Sequence, residues 1–272
     1  MKRGWPDRSS FLTLYIPVLI CRLWFIALGK TVVDASSAVK IDELSLSGGP
    51  CSLGIQWPHA PAVRCCLVLD GELYQQRVQM PAIVDALMQT GQIPATTFVY
   101  LAAGDGIARH RDLTCNEAYT DLLMREVLES LQRRIGTIEH FFLCGLSLSG
   151  LAAIYASVRH PDRVAGCLAQ SPSAWWNDEW LMAAIAPEQR LHGRYWLSVG
   201  DQEQQADLRH PPTGLHQATS QWDSVHRLAS RLKTAHAKVH LHPYAGGHDP
   251  ACWAKELPTA LPWLLGTPAT SE

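Results

Sequence analysis

From Cys51 onward, short apolar runs alternate with stretches whose apolar residues recur every three or four positions. SLGIQW reads as a first strand. RCCLVLD, closing at Asp70, is a continuous apolar run of the kind that lies in a sheet covered on both faces. A helix is expected over residues 81–90, then a strand at TFVYLAA. Across residues 116–134, Ala118, Leu122, Leu123, Val127, Leu128 and Leu131 share one helical face. HFFLCG reads as strand, residues 151–160 as helix and VAGCLAQ as strand. YWLSVG, a helix through residues 225–232 and KVHLHPY complete the series. Strand–helix units with short joins predict an α/β fold: a three-layer sandwich around a mostly parallel central sheet. No repeat suggests a solenoid. The longer joins, residues 109–115 and 171–191, are the natural places for binding surface.

The first 38 residues follow a different pattern. A basic start (Lys2, Arg3, Arg8) precedes an apolar run over residues 11–21, which Arg22 interrupts before LWFIAL. A secretory signal removed near Ser36-Ser37-Ala38, a membrane anchor and the remnant of an upstream domain all fit this segment. Residues 39–272 are expected to form one catalytic domain.

Composition adds mainly exclusions. The 272-residue chain is 47% hydrophobic and 18% charged, an ordinary globular balance. Its net charge of -2 offers no electrostatic footprint for nucleic acid. Of eight cysteines, Cys65, Cys66, Cys144 and Cys167 lie in strand-like runs and read as buried thiols. No Cys-x-x-Cys pair or spaced Cys/His set suggests structural zinc. Cytoplasmic and periplasmic locations both stay open, and nothing in the pattern identifies a protein partner.

Candidate chemistry concentrates at strand ends. HFFLCG runs into Leu146-Ser147-Leu148-Ser149-Gly150, which nearly spells G-x-S-x-G, with Ser149 in place of the second glycine. A serine at a sharp strand-to-helix turn is lifted above the sheet, beside backbone N–H groups that favour developing negative charge. Helix capping is the ordinary alternative role for Ser147 or Ser149. Ser149 replaces glycine without strain only if its backbone stays in the usual region, since a left-handed residue costs about 1 kcal/mol.

Chain order favours a nucleophile. Asp201 and Glu203 follow the late strand YWLSVG, and His248 follows the final strand in Ala245-Gly246-Gly247-His248-Asp249. Serine, acid and histidine thus arrive in the order used by hydrolases of this fold, each at a carboxyl strand end. Glu203 has room to curl beneath the imidazole. Asp201 is the alternative acid, or a tie for its own loop. Asp249 is expected to cap the segment running into Trp253. The Leu148 N–H is one expected oxyanion donor, with the other near Gly71 or Glu72 after RCCLVLD.

Together these residues make the chain similar to the enterochelin (enterobactin) esterase group of α/β hydrolases, from roughly Cys51 to Leu265. The resemblance rests on LVLDGELY, RHRDLTCNEAY, CGLSLSGLAAIYASVRHPDRV, LAQSPSAWW and YAGGHDPACW. It implies a serine esterase acting on a catecholate siderophore, such as ferric enterobactin and its linear products. It also implies catalytic roles for Ser147, His248 and Glu203, although not every branch of the family uses the third member. Arg109, ahead of Asp112-Leu113-Thr114-Cys115-Asn116, matches a family arginine, and Ser171-Pro172-Ser173-Ala174-Trp175-Trp176 matches an aromatic wall. A guanidinium and indole faces suit a bulky aromatic anion. The ordinary alternatives are a solvated ion pair of Arg109 with Asp112, and packing for one of the two tryptophans. No cofactor or catalytic metal is implied; iron enters only with the substrate.

Two features depart from the group: Ser149, and a leading segment shorter than the separate β-rich domain of the cytoplasmic members. A broader carboxylic-ester hydrolase, an acyltransferase and a non-catalytic siderophore-binding protein are therefore the competing readings.

Overall fold

The structure, a computed structural model, describes residues 39–266 except 48 and 187. The readings for residues 1–38 lie outside them. Ten strands and the helices between them follow in the order β1 (Lys40–Leu46), β2 (Gly49–Gln56), β3 (Arg64–Leu69), α1 (Gly71–Gln76), α2 (Met80–Gln89), β4 (Thr96–Leu101) and α3 (Gly106–Leu113). A long helical segment comes next: α4 (Glu117–Leu122), a π-turn at Leu123–Val127 and α5 (Leu128–Ile135). The chain continues through β5 (His140–Leu146), α6 (Ser147–Arg159), β6 (Gly166–Gln170), α7 (Trp176–Ala184), β7 (Arg194–Gly200) and a hairpin of β8 (Leu208–His210) and β9 (Leu215–Gln217). It ends with α8 (Gln221–Thr234), β10 (Lys238–Tyr244) and α9 (Pro250–Leu265).

Eight strands form one sheet in the order β1-β2-β4-β3-β5-β6-β7-β10. The six from β4 to β10 run parallel, and β2 and β1 close one edge antiparallel. Side-chain alternation explains why the central strands read as unbroken apolar runs. Cys65, Leu67, Leu69, Leu143, Tyr195 and Leu197 face the layer holding α5, α6 and α8. Cys66, Val68, Phe142, Cys144, Leu168 and Trp196 face α1, α2 and α9. Both faces are thus dry, as a parallel sheet requires. All four strand cysteines are fully buried and free, and burial pushes the Cys65 thiol up to about 12.

Several elements differ from the sequence expectation. The helix expected to begin at Leu151 starts at Ser147. The join expected over 109–115 is mostly α3, capped by Asp105 through the N–H groups of Ile107 and Ala108. α9 contains Pro258 and Pro262. Each removes a helical N–H donor, so sequence alone argues against continuing a helix there. Burial of Trp253, Leu257, Leu261 and Leu264 outweighs that cost.

β3 sits between β4 and β5, so the chain moves outward to β4 and then returns past β3. The crevice at the carboxyl ends of strands around such a reversal is where open α/β sheets place ligands.

Candidate active site

Ser147 is the first helical residue after β5 and has a φ of 51°. A non-glycine residue there is strained, and the strain persists because neighbours hold it. Its carbonyl accepts the Ser173 N–H at 3.0 Å. Gly145 permits the tight return, since a Cβ there would lie 2.2 Å from the Ser149 carbonyl oxygen.

Ser149 has ordinary helical backbone angles, so its position carries no left-handed strain. Its fully buried hydroxyl donates to the Leu146 carbonyl at 2.7 Å and accepts the Leu146 N–H at 2.9 Å. The serine that departs from the glycine pattern braces the turn carrying Ser147.

Glu203 reaches back beneath β7 and is only 8% exposed. Its Oε2 lies 2.7 Å from His248 Nδ1. Its Oε1 accepts from the Gly200 N–H at 2.8 Å, the Ser171 hydroxyl at 2.7 Å and the Tyr244 hydroxyl at 3.1 Å. Burial alone would raise its pKa. The His248 contact and the other donors outweigh that and hold it below the usual carboxylate value.

Asp201 is exposed and does something else. Its carboxylate accepts the Gly246 N–H at 2.9 Å, joining the acid loop to the loop that carries His248. The tie thus runs to a neighbouring loop rather than to its own. Asp249 caps α9 by accepting the Ala251 N–H at 2.7 Å. The His248 ring packs edge-on against Trp253 of α9 at 4.9 Å.

Ser147, Glu203 and His248 line one cavity of about 490 Å³, together with Leu148, Arg109 and Trp175. This lies within the usual range for small-molecule sites. The Ser147 hydroxyl is 3.4 Å from that of Ser173. No hydrogen bond joins it to His248 among the described residues, and such contacts commonly tighten only when substrate arrives.

Other residues fall differently from expectation. Arg109 pairs with the buried Asp70 of the β3–α1 turn, not with Asp112, which Arg111 holds. Trp175 is buried at the cavity wall, donates to Gln221 and stacks on His210 at 4.9 Å. Trp176 is not a lining residue; it packs against Trp180. Gly71 and Glu72 follow the strand beside Ser147's own but also lie outside the lining. A Cβ at Gly71 would come within 2.4 Å of the Tyr100 backbone, so this glycine permits a close approach to β4. The Glu72 carboxylate accepts the Ala103 N–H at 3.3 Å.

The cavity also takes Leu208, His210, Thr213, Leu215 and Gln217 from the β8–β9 hairpin, which the sequence reading passed over. Pro211-Pro212-Thr213-Gly214 between two short runs is the turn signal that marks it.

An open, mostly parallel sheet with serine, carboxylate and histidine following the carboxyl ends of β5, β7 and β10 has the arrangement of an α/β hydrolase. The "Putative esterase" family model matches residues 54–264, and the chain belongs to that family. An iron(III) enterobactin esterase of Dickeya dadantii is 30% identical over 224 residues, covering 75% of this chain and 48% of that protein. An iron(III) salmochelin esterase of Escherichia coli is 26% identical over 221 residues, covering 72% and 49%. The chain thus spans about half the length of these curated relatives. In fold it is similar to the enterochelin esterase of Shigella flexneri, with a TM-score of 0.71 at 23% identity, over 84% of this chain and 58% of that one.

Proposed function

We propose that the protein is a serine hydrolase that cleaves ester bonds of a catecholate siderophore, such as ferric enterobactin and its linear products. The observation that carries the reading is the 2.7 Å contact of buried Glu203 with His248 Nδ1, in the cavity that Ser147 also lines. That contact fixes the imidazole with Nδ1 protonated and leaves Nε2 as base.

Ser147 Oγ turns from Ser173, passes its proton to His248 and attacks the ester carbonyl. The Leu148 N–H at the start of α6 meets the developing oxyanion. Collapse expels the alkoxide, which takes the proton from His248. Water then resolves the acyl-enzyme by the same route. Arg109 and Trp175 supply the polar edge and aromatic wall against which a catecholate rests. Iron belongs to the substrate, and the residues in these roles need no cofactor. The substrate class is supported by the names of the relatives, which are iron(III) enterobactin and salmochelin esterases.

The test is incubation with ferric and iron-free catecholate siderophores, with mass analysis of the products, beside Ser147→Ala. Shortened, ring-opened esters are expected, with turnover at least roughly 1000-fold lower in the variant. A fluorophosphonate should label Ser147 alone. Labelling that persists in Ser147→Ala rejects the nucleophile, and intact siderophore beside hydrolysis of simple esters rejects the substrate class.

A further inference from the structure

Behind the Glu203–His248 pair lies a buried hydroxyl cluster that the reaction itself does not use. Ser171 follows β6 directly, is fully buried and has a φ of 42°. Glycine would adopt that conformation at lower cost, yet the chain places a serine there. Its hydroxyl donates to Glu203 Oε1 at 2.7 Å and lies 2.8 Å from the Tyr244 hydroxyl. Tyr244, at the end of β10, itself reaches Glu203 Oε1 at 3.1 Å.

Trp253 decides where the hydroxyl hydrogens point. Its indole N–H lies 3.1 Å from the Tyr244 oxygen and 3.3 Å from the Ser171 oxygen. An indole nitrogen donates and never accepts. Both hydroxyls therefore receive from Trp253 and keep their own hydrogens for acceptors. The acceptors within reach are Glu203 Oε1, the neighbouring hydroxyl at 2.8 Å and, for Tyr244, the Gly247 carbonyl at 3.2 Å.

We propose that Ser171 and Tyr244 are positioning residues for Glu203, occupying one carboxylate oxygen so that the other is held on His248, and that they set the acid limit of activity. This rests on the serine-hydrolase reading above. With the Gly200 N–H, they place three donor groups within hydrogen-bonding distance of Oε1, while Oε2 lies on the imidazole.

The pH consequence has a definite sign. Glu203 is the group whose protonation these donors oppose, because they hydrogen-bond to its anionic form and help hold its pKa below the usual carboxylate value. Donors on Oε1 stabilise the anionic state, so removing them moves proton uptake to higher pH. Tyr244 stays protonated throughout, because burial and the nearby Glu203 charge push its pKa far above the ordinary tyrosine value. The other ionisable groups around the pair are engaged elsewhere: Asp201 with Gly246, Asp249 with Ala251, His210 with Gln217, Arg109 with Asp70, and Glu256 with Gln170 and Ser198. From α8, it is the Trp222 backbone N–H that reaches the Glu203 carbonyl.

Tyr244→Phe and Ser171→Ala each remove one oxygen and leave the packing nearly unchanged, so either alone suffices for the test. Two readouts are taken below the melting temperature of each variant. One is kcat/KM against pH on a small neutral ester; the other is NMR titration of the His248 ring, assigned through His248→Gln. Both should move up by at least about 0.5 pH unit, with kcat falling more than KM rises. A folded variant with an unmoved acid limb and an unmoved titration overturns the proposal, whatever its melting temperature. If Ser147→Ala keeps esterase activity, the serine reading fails, while the His248 titration still judges the roles of Ser171 and Tyr244.

Discussion

Asp70 grips Arg109 through two parallel hydrogen bonds, Nε to Oδ1 at 2.8 Å and Nη2 to Oδ2 at 2.7 Å. The Asp70 side chain is fully buried, while that of Arg109 is 27% exposed on the cavity wall. The pair is neutral overall, so an anionic substrate meets a polarised N–H edge rather than a bare cation. Arg109→Gln should therefore lower catecholate efficiency about tenfold while sparing a small neutral ester. It should also destabilise the fold by about 3 kcal/mol, because Asp70 is left buried without its partner. Thermal melts beside the ratio of the two efficiencies check both effects. An unchanged ratio in folded protein removes Arg109 from substrate recognition.

Glu203 and Asp201 lie two positions apart, but only Glu203 touches His248. Glu203→Gln should cost about 100-fold or more in kcat, because an amide cannot stabilise the imidazolium that forms in the transition state. Asp201→Asn retains an acceptor for the Gly246 N–H and should cost less than about fivefold. Rates on one ester for both folded variants decide the comparison. Near-native rates in both would point to a serine–histidine dyad.

Restoring the glycine missing from G-x-S-x-G should weaken this protein rather than repair it. Ser149→Gly removes both hydroxyl contacts to Leu146 and puts glycine into α6. A loss of about 2 kcal/mol is expected, the sum of an unpaired buried group and a helical glycine. Urea midpoints measure it; an unchanged midpoint would remove Ser149 as a brace.

Glu256 gives the fold a pH dependence that has nothing to do with the nucleophile. Burial pushes its pKa up to about 7, against hydrogen bonds from Gln170 and Ser198 that act to lower it. At low pH the carboxyl is protonated in both folded and unfolded chains, so it costs nothing. As pH rises past the ordinary glutamate value, the unfolded chain releases the proton that the folded chain still holds. Stability therefore falls until about pH 7 and then levels. Glu256→Gln should remove this decline between pH 5 and 8, read from urea midpoints. Equal declines in both proteins would mean that Glu256 is not its source.

The layered sheet was legible in the sequence because its cause is local. RCCLVL and HFFLCG are apolar at every position that two covered faces require, and helical periodicity marks the segments between them. The order of Ser147, Glu203 and His248 was legible for a related reason: each follows a recognisable strand end. Partnerships between distant segments were not. Nothing near Arg109 announces Asp70, 39 residues earlier, and its sequence neighbour Asp112 is instead held by Arg111. Trp175 and Trp176 are chemically identical and adjacent, yet the local turn sends one to the cavity and the other against Trp180. Periodicity reports which side of an element is buried. Which buried polar group meets which depends on how separate strands and loops converge, and that convergence brought Ser171, Tyr244 and Trp253 behind Glu203.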